Sequence, residues 1–535
     1  MSLFRAIATV GSLTMLSRIA GFVRDLLIAR YLGTGPVADA FFVSLRLPNF
    51  FRSLFAEGAF TAGFLPIFAR TEATEGRAAA KRFAEQALGI LLPATLIFSI
   101  LAQLAMPAVI FVLAPGFSHA PDASDGRFAL AVALTTITFP YLIFISLASL
   151  YGAMLNSVGR FAAMAATPIL LNLTMIAGLP LMQAHVGGPG YALAASVLLG
   201  GIFQFLWLAW EARRAKLDLP LRRPRWSGKV RELFRLILPV AIGAGATQVN
   251  LVVGLMLASL LPTGAVSYLF YADRINQLTV GVVGVAIATA LLPTISVQLA
   301  RGDHAAAIAN QNRAIEFGLL LSLPAAAALI TVPLPIIAIL FQRGEFDLAS
   351  AHATADALLA YSIGLPGYVL SRSFTPSFYA RQDTRTPVRV AFVTIAINLG
   401  GGALLMQAFA HVGLALATAM AGIANTLLLG WILHRRGHWQ ADARLKSRAL
   451  RILAAALVMA AVLWALDRHL LPGWYAGGQA ERLAALAALV AGGIAVFLAA
   501  ALAFGATRPA EWKAMLRKPP KSEAGPQALP PAVDG

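Results

Sequence analysis

Long apolar runs, about 20 or more residues each, follow one another along this chain, separated by short polar breaks. The pattern predicts about fourteen helices, over approximately 6–33, 37–70, 85–114, 127–155, 160–183, 189–211, 236–261, 265–300, 314–340, 353–380, 387–408, 412–433, 449–470 and 482–506. A transmembrane barrel would need alternating segments of roughly ten residues instead. Arg5 followed by an apolar run has the look of a signal peptide. Arg18 interrupts that run and no Ala-x-Ala site follows, so a retained first helix is expected.

Composition sharpens the picture. Hydrophobic residues make up 59% of the 535 and charged residues 12%, and the mean hydropathy is +0.75. An all-α integral membrane protein follows. The chain has no cysteine, and its eight histidines fall near predicted loops or helix ends without metal-type spacing. No metal or other cofactor is expected. No phosphate-binding Gly-x4-Gly-Lys-Ser/Thr loop is present, so ATP hydrolysis by this chain is not expected either.

The net charge of +18 is a matter of topology. Of the 42 Lys and Arg, 31 fall in Arg5, the loops after even-numbered helices and the tail, and four (Arg127, Arg343, Arg468 and Arg482) in loops after odd-numbered helices. The positive-inside rule then puts both termini in the cytoplasm of a cell whose inner membrane holds the protein, and a nucleic-acid partner is not expected.

The other seven lie within spans: Arg18, Arg24, Arg30, Arg46, Arg52, Arg274 and Arg372. An Arg near a helix centre costs about 2.5–3.5 kcal/mol on the insertion scale, so such residues face a bundle interior or a hydrated cavity. Spans 6–33 and 37–70 would rise about 42 and 51 Å against a hydrocarbon layer near 30 Å, so they must project, tilt or bend. On a straight helix Arg18 and Arg24 point about 240° apart. A bend at Gly21 would let both face one cleft, while Pro48, Gly58 and Gly63 interrupt the second span. Arg30 and Arg46 are expected to snorkel outward or pair locally.

A repeat is also legible. At an offset of 229 residues, "ARYLGTGPVADAF" (29–41) lies over "ASLLPTGAVSYLF" (258–270) with six of thirteen positions identical. Leu65-Pro66 with Leu292-Pro293, Pro107 with Pro335, Tyr151 with Tyr379 and Asn172 with Asn398 recur in the same order. Two six-helix lobes, 1–211 and 236–433, are expected, joined by a basic linker, 212–235. Because the shift is an even number of helices, the axis relating them runs along the membrane normal and a cleft lies between them. Residues 434–506 add a linker and two helices, and 507–535 read as a disordered tail.

The acids at membrane depth are Asp25, Asp39, Glu57 and Asp273. They are outnumbered by arginines, whose planar forks suit phosphate. At these residues the sequence resembles the MurJ (MviN) lipid II flippases: "SRIAGFVRD" (17–25), "ADAFFVSLRLPNFFRSLFAEGAF" (38–60), "YADRINQL" (271–278) and "ARQDTRTP" (380–387). The resemblance implies the two-lobed fold of the MOP superfamily and alternating access. It also implies the transfer of lipid II, an undecaprenyl diphosphate bearing a disaccharide-pentapeptide, to the periplasmic leaflet for cell wall biosynthesis. It carries substrate binding to Arg18, Arg24, Arg52 and Arg274, and charge partnering or gating to Asp25, Asp39, Glu57 and Asp273. Helices 13 and 14 would shape a groove for the polyprenyl tail. The partners implied are lipid II, surrounding membrane lipids and the peptidoglycan synthesis machinery.

Some relatives bind sodium through carboxylates in the second lobe, but 387–408 and 412–433 contain no Asp or Glu. Membrane potential is therefore the expected driver. The competing readings are a flippase for another polyprenyl-diphosphate oligosaccharide, a MATE-like antiporter, and a scaffold. An antiporter for cationic drugs calls for an acid-rich cleft, and a scaffold has no need of mid-membrane arginines.

Overall fold

Proline sets much of this architecture, because it removes a backbone donor and crowds the preceding turn. The computed structural model describes residues 3–55, 59–119, 126–221, 223–470 and 477–508. Glu57, Gly58 and the tail beyond Arg508 lie outside them.

The first crossing is one continuous helix, α1 (Leu3–Leu32). The second is cut into α2 (Pro36–Ser44), α3 (Arg46–Phe55) and α4 (Ala59–Glu75), with a break at Leu45 just ahead of Pro48. The third runs through α5 (Arg77–Leu104) and α6 (Met106–Leu113), followed by the short α7 (Gly116–His119). The fourth is α8 (Arg127–Thr138) and α9 (Tyr141–Ser157), split at Phe139-Pro140. The fifth and sixth, α10 (Phe161–Met182) and α11 (Pro189–Arg214), complete the first lobe.

The second lobe repeats the plan. Its first two crossings are α12 (Gly228–Ser259) and α13 (Ala265–Ala300). The third is α14 (His304–Thr331) and α15 (Pro333–Phe341), and the fourth is α16 (Leu348–Ile363) and α17 (Leu365–Tyr379). The breaks at Ala105 and Phe139-Pro140 thus recur at Val332 and Gly364, in the same two crossings, each beside a proline. Proline alone does not dictate a break, since Pro66, Pro93, Pro168 and Pro293 sit inside uninterrupted helices.

Helix α18 (Arg385–Arg435) is hydrogen-bonded through but reverses at Ala410, where φ is 45° and ψ −128°. Beyond the turn the two arms run antiparallel. The Thr418 hydroxyl donates to Asn398 Oδ1 at 3.1 Å, and a Cβ on Gly402 would lie 3.3 Å from Leu414 Cδ2. The arms supply the eleventh and twelfth crossings expected at 387–408 and 412–433. Helix α19 (Ala443–Ala465) packs on α14, and α20 (Gln479–Ala503) packs on α19, giving two crossings outside the lobes. Among the described residues, eight helices are long and apolar enough to cross a membrane by composition. Helix α1, with its arginines, is not among them.

In the first lobe α10 lies between α1 and α11, with α9 on α11 and α2 on α8. In the second, α13 packs on α14, α16 and α17, and α18 covers α16 and α17. The lobes meet where α4 lies on α12 and α2 on α13.

At the end opposite the arginine-rich loops the lobes are sealed. Phe42 of α2 stacks on Phe270 with ring centres 3.9 Å apart. Tyr271 packs against Phe42, Phe341 and Phe346, and its hydroxyl donates to the Gly33 carbonyl at 3.2 Å. The Glu345 amide donates to the Arg30 carbonyl at 3.0 Å. Two glycines make this approach possible. Gly33 and Gly344 both have φ near +59°, and a Cβ on either would lie 2.3 Å from Glu345 O or 2.2 Å from Arg30 O.

The loop motif "ARQDTRTP" has a structural role on the opposite, arginine-rich face. Asp383 accepts from the Thr386 amide at 3.0 Å, the Thr386 hydroxyl at 2.6 Å and Arg436 Nη1 at 2.6 Å. The Thr386 hydroxyl and amide bonds and the Arg436 charge hold its carboxyl well below the usual range.

Candidate functional site

Helix α1 brings Arg18, Gly21 and Asp25 onto one stripe, since steps of three and four residues return to the same side. That stripe meets α13. Asp25 is fully buried and shared by two cations. Arg24 donates to its Oδ1 through Nε at 3.0 Å and Nη2 at 2.7 Å, and Arg274 Nε of the second lobe lies 2.5 Å from its Oδ2. Asn172 of α10 completes the group, accepting from Arg24 Nη1 at 2.9 Å and donating to the Ser17 carbonyl at 3.0 Å.

The expected bend at Gly21 is absent, and α1 passes through it as regular helix. Arg24 starts on another side, but its guanidinium folds back onto Asp25, so long side chains do what a kink would have done. Gly21 has a different use. A Cβ there would lie 2.9 Å from Arg274 Nη2 and 3.4 Å from Asn172 Nδ2, so the missing side chain is the space in which Arg274 rests. The converse holds on α13, where a Cβ on Gly281 would meet Arg18 Nη1 at 2.7 Å. Each lobe thus reaches across with an arginine onto a glycine of the other. Arg18, Arg24 and Arg274 are all part-buried between helices.

The remaining candidates are placed elsewhere. Asp39 is fully buried and takes no part in the Asp25 group. It accepts from the Gly264 amide at 2.8 Å, the Ser267 amide at 2.9 Å and the Ser267 hydroxyl at 2.6 Å, so a first-lobe carboxylate caps the start of α13. Its cation is Arg127 at 3.6 Å. Sequence alone puts Arg127 in a loop, yet it is fully buried at the start of α8, with its guanidinium 4.8 Å from the Phe117 ring centre. Asp273 bonds to Gln277 and faces an inter-lobe cavity of about 240 Å³. Arg46 lines the same cavity and donates to the Leu251 carbonyl at 3.3 Å, correcting the expectation that it snorkels outward or pairs locally. Arg30 is exposed beside its neighbour Tyr31, as a local contact requires. Arg52 is half-buried on α3, whose Ser53 accepts from Gln248 of α12 at 3.3 Å. Glu57 lies outside the described residues.

The internal repeat reaches into the site. Arg24 and Asn172 are 148 residues apart; Asn250 and Asn398, which bond at 2.9 Å, are also 148 apart. The same two helices of each lobe make the same contact, charged in the first lobe and neutral in the second. Thr418 extends the neutral pair along the cavity wall.

Two lobes of six crossings, a sealed end and guanidinium groups spanning the interface define a membrane transporter of the MOP type. Solved structures agree. The chain resembles "Lipid II flippase MurJ, inward closed conformation" with a TM-score of 0.77 and 25% identity, over 95% of this chain and 99% of that one. It shares its fold with an inward-facing MATE family transporter of the MOP superfamily at a TM-score of 0.67 and 16% identity, over 82% and 99% of the two chains. The family described as Lipid II flippase MurJ matches residues 28–484. A probable lipid II flippase MurJ of Rhizobium meliloti is 41% identical over all of this chain and 99% of its own length. The lipid II flippase MurJ of Burkholderia cenocepacia is 36% identical over 86% and 90%. The chain belongs to the MurJ family of lipid II flippases.

Proposed function

We propose that this protein carries lipid II from the cytoplasmic to the periplasmic leaflet of a bacterial inner membrane by rocking its two lobes about the Asp25 group. One observation carries the reading: guanidinium groups from both lobes converge beside a single buried carboxylate. Arg18, Arg24 and Arg274 less Asp25 leave a net charge of +2, matching the roughly −2 of a diphosphate diester. Arg forks bind phosphate oxygens through paired hydrogen bonds. A diphosphate entering the cleft would take over the hydrogen bonds that Arg24 gives Asp25 and the ion pair that Arg274 makes with it, and release would return them. The lysine- and arginine-rich loops favour a cytoplasmic position for the face opposite the aromatic seal. The neutral Asn250, Asn398 and Thr418 in the second lobe favour the membrane potential over a sodium ion as driver, at about 2.3 kcal/mol per charge per 100 mV.

The direct test is reconstitution of the full chain into vesicles with labelled lipid II and, separately, an unrelated sugar on the same polyprenyl diphosphate. Lipid II should cross faster than in protein-free vesicles, and faster still under an imposed potential, while the unrelated lipid stays behind. Equal transfer of both would overturn the assignment of substrate.

Gly21→Ala tests the cradle. Alanine favours a helix interior by about 1 kcal/mol over glycine, so folding should hold. Its methyl group displaces the flexible end of Arg274, and lipid II binding, followed by fluorescence anisotropy, is expected to weaken about tenfold. Unchanged binding would mean that Arg274 reaches the substrate from another position.

A further inference from the structure

Arg46 of the first lobe and Asp273 of the second line one inter-lobe cavity of about 240 Å³, yet among the described residues no ion pair joins them. Arg46 Nη2 donates to the Leu251 carbonyl at 3.3 Å, and its Nε is buried with no hydrogen-bond partner among the described residues. Asp273 accepts from Gln277, one turn along α13. On the facing wall the Asn250 carbonyl oxygen accepts from Asn398 at 2.9 Å, which leaves the Asn250 amide nitrogen to donate to a ligand. Tyr361 of α16 adds a hydroxyl. A Cβ on Gly254 would meet nothing within 4 Å, so the chamber is open beside α12.

This chamber adjoins the Asp25 group through α13. Consecutive helical residues point about 100° apart, so the helix turns Arg274 toward Asp25 and Asp273 toward the cavity. The two chambers differ in chemistry. The first gathers arginines suited to a diphosphate, whereas the second sets one guanidinium, one carboxylate and amide donors among the apolar Leu255, Val266 and Leu414. A cation for a carboxylate, hydrogen-bonding groups for a backbone and apolar walls for small side chains suit the free end of a peptide. The volume lies below the roughly 300 Å³ at which drug-sized pockets begin, room for the end of a chain and not for a disaccharide.

We propose that this cavity takes the carboxylate end of the peptide stem of lipid II. Arg46 pairs with the terminal carboxylate, Asn250 donates to the last peptide carbonyl, and Asp273 accepts from a peptide N–H. The inference rests on lipid II being the substrate. A stem of five residues spans at most about 17 Å, a reach suited to a neighbouring chamber while Arg24 and Arg274 hold the diphosphate.

The test compares two labelled lipids for binding to the full chain, followed by fluorescence anisotropy: lipid II with its free terminal carboxylate, and the same lipid with that carboxyl converted to the amide. The parent should bind the carboxylate form about tenfold more tightly, the scale of hydrogen bonds to a charged group. Arg46→Gln should bring that ratio near one, and Arg46→Lys, which keeps the charge and loses the fork, should restore part of it. Gly254→Leu fills the cavity from the α12 side. Its Cβ has free space and leucine favours a helix, so this variant should elute as the parent does and should also lose the preference. Equal binding of the two lipids by the parent overturns the inference and leaves the diphosphate reading standing. A tenfold preference that survives Gly254→Leu also overturns it, since the carboxylate is then read outside this cavity. Failure of the parent to bind either lipid overturns the lipid II reading itself, and this inference with it.

Discussion

Arg274→Ala is expected to reduce lipid II flipping in vesicles to the protein-free rate and to weaken lipid II binding by about 10- to 100-fold, the range set by losing hydrogen bonds to a charged group. Folding should survive, because Asp25 keeps both of its bonds from Arg24. Asp25→Ala should differ in its effect on folding. It leaves Arg24 and Arg274 facing each other without their carboxylate, and the penalty falls on stability as well as transport. A fully buried pair broken this way costs about 3–5 kcal/mol; these guanidiniums are part-exposed, so a smaller loss is expected. Arg24→Lys separates shape from charge, since lysine keeps the charge and loses the fork. Flipping by Arg274→Ala at the parental rate would remove the cross-lobe arginine from the mechanism.

Gly33→Ala should shift the protein toward a state open at the sealed end. Its Cβ would lie 2.3 Å from the Glu345 carbonyl oxygen and 2.8 Å from its carbon, both backbone atoms that cannot swing aside. Overpacking of this kind costs about 1–3 kcal/mol, enough to change the ratio of closed to open by roughly 5- to 150-fold. The positive φ adds strain that does not depend on the lobes. Gly76→Ala is the control, with φ of +84° and nothing within 4 Å, and should lower stability without opening the seal. The chain has no cysteine, so Arg30→Cys with Leu348→Cys gives a clean spin-label pair across the seam. Gly33→Ala should add a longer distance to that pair. An unchanged distribution would show that the glycines are not what holds the seam.

Much of the site was legible because charge in an apolar run is conspicuous. Arg18, Gly21 and Asp25 of "SRIAGFVRD" meet α13, while Ser17 and Arg24 bond to Asn172 of α10. Asn172 and Asn398 stood out as landmarks of the repeat, yet nothing in sequence gave their partners, which depend on how helices pair. Gly281 carried no signal, because a glycine that makes room for a neighbour's side chain reads like any other. Arg46 and Arg127 were misplaced for one reason: distance from a helix end suggests an escape to water, whereas tertiary packing decides whether that end is covered. Of the interruptions expected in the second span at Pro48, Gly58 and Gly63, the backbone breaks at Leu45 just ahead of the first, whereas Gly63 lies within α4. Tertiary packing rather than composition decides which small residue is a hinge.

The aromatic closure joining Phe42, Phe270, Tyr271, Phe341 and Phe346 has a thermal consequence. Separating those rings hydrates apolar surface, and hydration of apolar surface raises heat capacity. Opening at this end therefore has an enthalpy that grows with temperature. The balance between closed and open forms follows a curve, rather than a straight line, against reciprocal temperature.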